Sequence, residues 1–247
     1  MDPELSITRP LRFVEQYEGS SSVFVSATQF DPSEATPAAA RRILGEWVEF
    51  FTATATRITR LELTSRVPQV LLDAVGHQSQ LEHLSLSWGP YSDLAPLRAL
   101  QNLRSLSLGS AVAVRDLSPL TSLLHLESLV LEQPHRVDEL APLGELTTLR
   151  ELIFGASISS DRVVRVRGFD WIRPLTRLRT LLLPGVSMNI DEVAVLLELP
   201  ELERLGLPLR RRYRALVFEH AEHNAAFADA ARRYEEYERT WGIAGAR

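Results

Sequence analysis

Two histidines, His220 and His223, stand three residues apart in "EHAEH" (219–223), a spacing that on a helix lets both rings reach one metal ion. No third ligand follows at a clear spacing, so solvated or capping histidines are the plainer reading. "RRRYR" (210–214) concentrates charge of the kind that meets phosphate or nucleic acid, although "EEYE" (235–238) offers it acidic neighbours. Three more arginines, Arg162, Arg165 and Arg167, share the stretch "SISSDRVVRVRG" (157–168). The chain contains no G-x-G-x-x-G, G-x-S-x-G or H-E-x-x-H. It has no cysteine, which removes disulfides, thiolate ligands and cysteine nucleophiles. All 27 basic residues are arginine, so phosphate-loop and Schiff-base lysines are excluded as well. A net charge of −5 argues against general nucleic-acid binding. The expectation is a protein without catalytic residues, metal or cofactor.

What positions these residues is a repeat. The pattern L-x-x-L-x-L starts at Ile58, Leu81, Leu103, Leu126, Leu149, Leu178 and Leu202, at separations of 23, 22, 23, 23, 29 and 24 residues. Apolar residues two apart, such as Leu129 and Leu131, share a side only in an extended strand. Between strands come "DLAPL" (93–97), "DLSPL" (116–120), "ELAPL" (139–143) and "WIRPL" (171–175). An acidic residue there can cap a short helical turn, and a proline in the first turn costs no hydrogen bond. The leucines at every third position that follow suit a 3₁₀-like return, whose side chains eclipse at i and i+3. "VPQVLLDAVG" (67–76) and "IDEVAVLLEL" (190–199) read as fuller α-helical returns. One such unit has nothing on which to bury its leucines; stacked units bury them in one continuous core.

The unit "VRDLSPLTSLLHLESLVL" (114–131) resembles the 22-residue leucine-rich repeat of bacterial internalins and of a eukaryotic phosphatase regulatory subunit. The resemblance covers residues 55–210 and implies an α/β solenoid: a curved parallel sheet on the concave face, short 3₁₀ or α returns on the convex face, and a protein-binding function. The family usually places Asn three residues after the last strand leucine. Here Arg66, Gly89, Ala111, Pro134, Ser157, Val186 and Arg210 stand there, so the buried turns need other partners. Residues 1–54 read as an N-terminal cap, with a strand in "SVFVSA" (22–27) and a helix over 36–51 that Thr36 caps and Pro37 begins. Seven repeats fill 55–210. Residues 211–247 form a C-terminal helical cap, breaking near His223 and Asn224, with Phe227, Ala231, Tyr234 and Trp241 on one stripe. With no apolar leader and no run of 18 apolar residues, the expectation is a soluble, cytoplasmic monomer rather than a surface adhesin.

The positions between the leucines face outward and differ from rung to rung. Seven strands about 4.8 Å apart present a face about 29 Å across. The row Glu82, Arg104, Glu127, Arg150 alternates in sign and reads as structural. The next row runs Glu62, Ser85, Ser107, Val130, Ile153, Leu182, Gly206, from polar to apolar. Val130, Ile153 and Leu182 should form one apolar strip, edged by Glu132 and Glu151. That strip can bind a partner, be covered by the insertion or the C-terminal cap, or be exposed incidentally. His83 and Trp88 flank the serines of the polar half. The insertion at 157–168 leaves the end of a strand and can lean over the face, bringing Arg162, Arg165 and Arg167 to a partner. The reading is a non-enzymatic scaffold for an unidentified protein or peptide, with an inhibitor or immunity-type regulator as one variant. The alternative is nucleic-acid or phospholigand binding through the arginine clusters.

Overall fold

A computed structural model describes residues 9–31, 33, 35–156, 162–189 and 193–241. The repeats form strands β2 (Arg60–Arg66), β3 (His83–Trp88), β4 (Ser105–Leu108), β5 (Ser128–Glu132), β6 (Glu151–Gly155), β8 (Thr180–Leu182) and β10 (Arg204–Gly206). Strand β1 (Ser22–Val25) joins them at the edge, giving an eight-stranded parallel sheet in chain order. The two strands missing from that order, β7 (Val164–Arg165) and β9 (Val186–Ser187), pair only with each other.

Register follows the leucines. Leu61, Leu84, Leu106, Leu129, Leu152, Leu181 and Leu205 occupy one row of Cα partners and are all buried. A one-residue slip in any strand would turn this row to the outer face, so burial fixes the pairing. Full burial of each leucine contributes roughly 1.5–3 kcal/mol.

The returns explain the three-residue spacing. Residues Ala95–Ala99 and Ser118–Ser122 are 3₁₀ turns. The Asp93 and Asp116 carboxylates each accept a hydrogen bond at 2.8 Å from the amide two residues on, Ala95 and Ser118. Amide-to-carbonyl bonds at i to i−3, Leu97 to Leu94 and Leu120 to Leu117, tighten each turn. Leu117, Leu120, Leu123 and Leu126 are thereby all directed into the core. The return over 67–76 is an α-helix as expected, α2 (Gln69–Val75). A four-residue α-helix, α3 (Ala141–Gly144), serves the return between β5 and β6. The second fuller helix, expected over 190–199, is α-helical at Val193 and continues as a 3₁₀ segment, Ala194–Glu198. Residues 190–192 lie outside the described residues.

The missing asparagines are replaced by two devices. The first is a main-chain ladder continued past the strands. Val67 N–H donates to Trp88, Gly109 to Leu86, Ala111 to Glu132, Gln133 to Gly155 and Ala156 to Pro184, at 2.7–2.8 Å. Such close stacking leaves no room for side chains at Gly89, Gly109 and Gly155. An added Cβ would stand 2.0 Å from the Val67 carbonyl oxygen at Gly89, and 1.9 Å from that of Ser87 at Gly109. The second device is tyrosine. Buried Tyr91 donates to the Gly109 carbonyl at 2.7 Å. Tyr213 donates to the Met188 carbonyl and accepts from its amide. Tyr234 accepts from the Arg210 amide, and its hydroxyl also lies within hydrogen-bond reach of the Pro208 and Arg210 carbonyls.

Both ends are closed. Helix α1 (Pro37–Ala53) starts at Thr36, whose hydroxyl accepts from the Ala39 amide. It buries Ile43, Trp47 and Phe51. Buried Gln78 ties this helix to the first repeat, donating to the Phe51 and Thr54 carbonyls and accepting from Thr56. At the other end α4 (Arg211–His220) and α5 (Ala225–Trp241) are separated at Asn224, whose side chain caps α5 through the Ala226 and Phe227 amides. Phe227, Ala231 and Tyr234 are buried as one stripe; the Trp241 side chain lies outside the described residues.

Gly109→Ala should lower stability by at least about 2 kcal/mol, since only backbone can give way. Gly45→Ala, in α1 with nothing within 4 Å of the added methyl, should raise it by about 0.5–1 kcal/mol. Equilibrium urea denaturation of both variants checks the pair.

Candidate binding surface

The apolar strip is continuous. Val130 pairs with Ile153, and Ile153 with Leu182, as direct register partners on adjacent strands. On one side Ser107 pairs with Val130; on the other Gly206 pairs with Leu182. The Leu182 side chain leans over Gly206, where a Cβ would meet its Cδ2 at 2.7 Å. All three strip residues are half-buried by their neighbours. The strip therefore presents branched apolar side chains between a serine ledge and a glycine notch.

Charge around the strip is partly committed. Glu127 bridges Arg104 at 2.7 Å and Arg150 at 3.8 Å, the alternating row read from the sequence. These groups are well exposed, so the bridges add little stability. Glu151 accepts from the Ser128 hydroxyl at 2.9 Å, which holds it beside the strip. Glu132 is half-buried and pairs in register with Gly155. On the polar half His83 is half-buried between Arg60 and Ser105 in register. Burial, and then the Arg60 charge, hold its imidazole below the usual pKa. Trp88 remains 43% exposed.

The described part of the insertion, residues 162–168, packs elsewhere than on this face. It contains β7, which hydrogen-bonds to the chain just after β8: Val164 N–H to the Gly185 carbonyl and Val166 N–H to the Ser187 carbonyl, both 3.0 Å. Val164 and Val166 are buried and anchor it there. Arg162, Arg165 and Arg167 instead line a cleft of about 990 Å³ shared with residues 137–141, Pro134, His135, Phe154 and Trp171. Val130, Ile153 and Leu182 are not among its walls. In that cleft His135 Nε2 and Trp171 Nε1 are buried without a hydrogen-bond partner. Burial, aided by the Arg162 charge, depresses the His135 pKa. Neither side chain was singled out from the sequence. The visible signal is that "WIRPL" places Trp171 where the other returns carry Asp or Glu.

Three members of the remaining clusters are held by packing. Arg214 forms a two-pronged pair with Glu238 at 2.7 and 3.1 Å, and its guanidinium lies 4.3 Å from the Phe218 ring centre. Arg212 donates to Ser187 and stacks on Tyr213. His220 packs edge-on to Phe227. Among the described residues no group of three or more His, Cys, Asp or Glu side chains could hold a metal, and no helix is long and apolar enough to cross a membrane.

Comparison with solved structures now fits this geometry. Internalin C2 of Listeria monocytogenes superposes with a TM-score of 0.53 at 20% identity, covering 73% of this chain and 77% of that one. The chain has the leucine-rich repeat fold. A leucine-rich repeat protein of Leptospira interrogans matches with a TM-score of 0.50 at 17% identity, over 81% of this chain and 53% of its own. No protein-family model matches the sequence, and no curated protein does.

His83 and His135 should each titrate below 6.5 in an NMR pH series, midpoints at or above that value contradicting the assignment. Because the folded state binds these protons less tightly than the unfolded chain, their contribution to stability is complete above pH 6.5 and declines as pH falls through that value.

Proposed function

We propose that this protein is a non-enzymatic, cytoplasmic scaffold that binds a protein or peptide on its concave sheet face. The observation that carries the reading is the in-register strip Val130–Ile153–Leu182 on a face whose neighbouring rungs carry serine. In an ordinary solvated sheet face these positions would be polar. Three adjacent apolar side chains edged by carboxylates are instead what a small interface centre looks like. The partner would insert apolar side chains along the strip and set basic groups against Glu132 and Glu151. His83 and Trp88 extend the same face toward the N-terminal rungs. Masking an enzyme, as an inhibitor or immunity-type regulator does, is one use of such a face.

The alternative, nucleic-acid or phospholigand binding through residues 210–214, has less support. Arg214 is held by Glu238 and Arg212 by Ser187 and Tyr213, which leaves that cluster a partly neutralised helix start.

The test is affinity capture from the native host with wild-type protein and with the double variant Ile153→Asp, Leu182→Asp. The variant should lose the captured partner by tenfold or more, as about 1.4 kcal/mol or more would require. Its far-UV circular dichroism and thermal transition should stay cooperative. Undiminished capture by a folded double variant would refute the concave-face reading.

A further inference from the structure

The cleft beside the insertion has a feature of its own. Residues 162–168 form one wall, and no residue of β9 contributes to the lining, so the cleft lies on the open side of β7. In a parallel ladder, main-chain groups of alternate residues point to opposite sides. Val164 and Val166 use theirs on the β9 side, so the N–H and C=O of Arg165 point the other way, toward the cleft. Open strand edges are templates for further pairing. The two chain segments that line the cleft carry opposite charge: Arg165 and Arg167 in residues 162–168, Asp138 and Glu139 in residues 137–141. Among the described residues none of these four is ion-paired. Trp171 Nε1–H, a donor, and His135 Nε2 are buried in the same lining without partners, whereas such atoms are ordinarily satisfied.

We propose that this cleft binds an extended peptide of mixed charge, which adds to the open edge of β7 as a third strand. Its backbone bonds to the Arg165 N–H and C=O, beside the Trp171 ring in the lining. Acidic side chains of the peptide meet Arg165 and Arg167, and basic ones meet Asp138 and Glu139. Main-chain pairing supplies the grip and the two charged walls supply direction, the mode by which exposed sheet edges recognise peptides. Depressed basicity keeps His135 neutral near pH 7, so it adds no positive charge to the three arginines of the lining. The site is separate from the concave strip and does not depend on it.

The experiment uses ¹⁵N-labelled full-length protein and a blocked eight-residue peptide of Val and Thr carrying two Glu and two Arg. The Arg165 amide and the Trp171 indole N–H should shift saturably, and exchange of the Arg165 amide with solvent should slow. An analogue methylated on alternate backbone nitrogens should bind about tenfold more weakly or worse. So should the original peptide toward the double variant Arg165→Glu, Arg167→Glu, whose walls are then both acidic and favour an all-arginine analogue. Both substituted residues are exposed, so the fold should be retained. The proposal is overturned if neither resonance moves up to about 1 mM peptide, the weakest affinity worth calling binding. It is equally overturned if the methylated analogue binds as well, or if shifts appear only at Val130, Ile153 and Leu182.

Discussion

A single rung of this protein cannot fold. Its strand and its return each carry leucines on one side only, and the only apolar surface that can cover them is the next rung. Everything else follows from the closeness with which rungs must stack. Parallel strands pair in register from β1 to β10, and the ladder then runs on into the turns, where Gly89 and Gly109 let one backbone lie directly on the next. Where a ladder of asparagines would ordinarily satisfy buried turn groups, main-chain bonds between rungs and the hydroxyls of Tyr91, Tyr213 and Tyr234 do so. Removing the Tyr91 or Tyr213 hydroxyl would leave the Gly109 carbonyl or the Met188 amide and carbonyl unpaired, a larger loss than the bond itself contributes. The ends obey the same constraint. Trp47 and Phe51 of α1 cover the first rung, and Phe227 and Tyr234 of α5 the last.

Because stacking fixes the leucines, it frees the residues between them. Those positions define the outer face, and their rung-to-rung variation is where function can be written. Arg104, Glu127 and Arg150 neutralise one another across three strands. Val130, Ile153 and Leu182 form no ion pair of that kind, and their register neighbours along the sheet, Ser107 and Gly206, show that the fold accepts small residues in that row. The insertion adds a second surface without disturbing the first, because its two buried valines fasten it beside β9 rather than across the sheet.

Much of this was legible in the sequence, for physical reasons. Alternation of Leu129 and Leu131 and the three-residue spacing of Leu117, Leu120 and Leu123 are direct records of strand and 3₁₀ geometry. Thr36–Pro37 marks a helix start because cap and ring need those positions. The apolar strip was legible because equal positions in a parallel repeat become neighbours. Other features left no periodic trace. The β7–β9 pairing joins two strands of two residues each, too short to alternate visibly. The cleft is made by the distance between an inserted loop and the preceding return, which no pattern within either segment records. The tyrosines act over 18 to 26 residues, a separation no local pattern encodes.

The central claim is that a partner touches the concave strip. A photo-crosslinking amino acid placed at Ile153, compared with one at Leu124, tests it most directly. Leu124 is the better control because it is a large apolar residue, 65% exposed, on a return rather than on the sheet. Irradiation in host extract should give a discrete cross-linked species from position 153 and none from position 124. Equal cross-linking at both positions, or at 124 alone, would contradict the account.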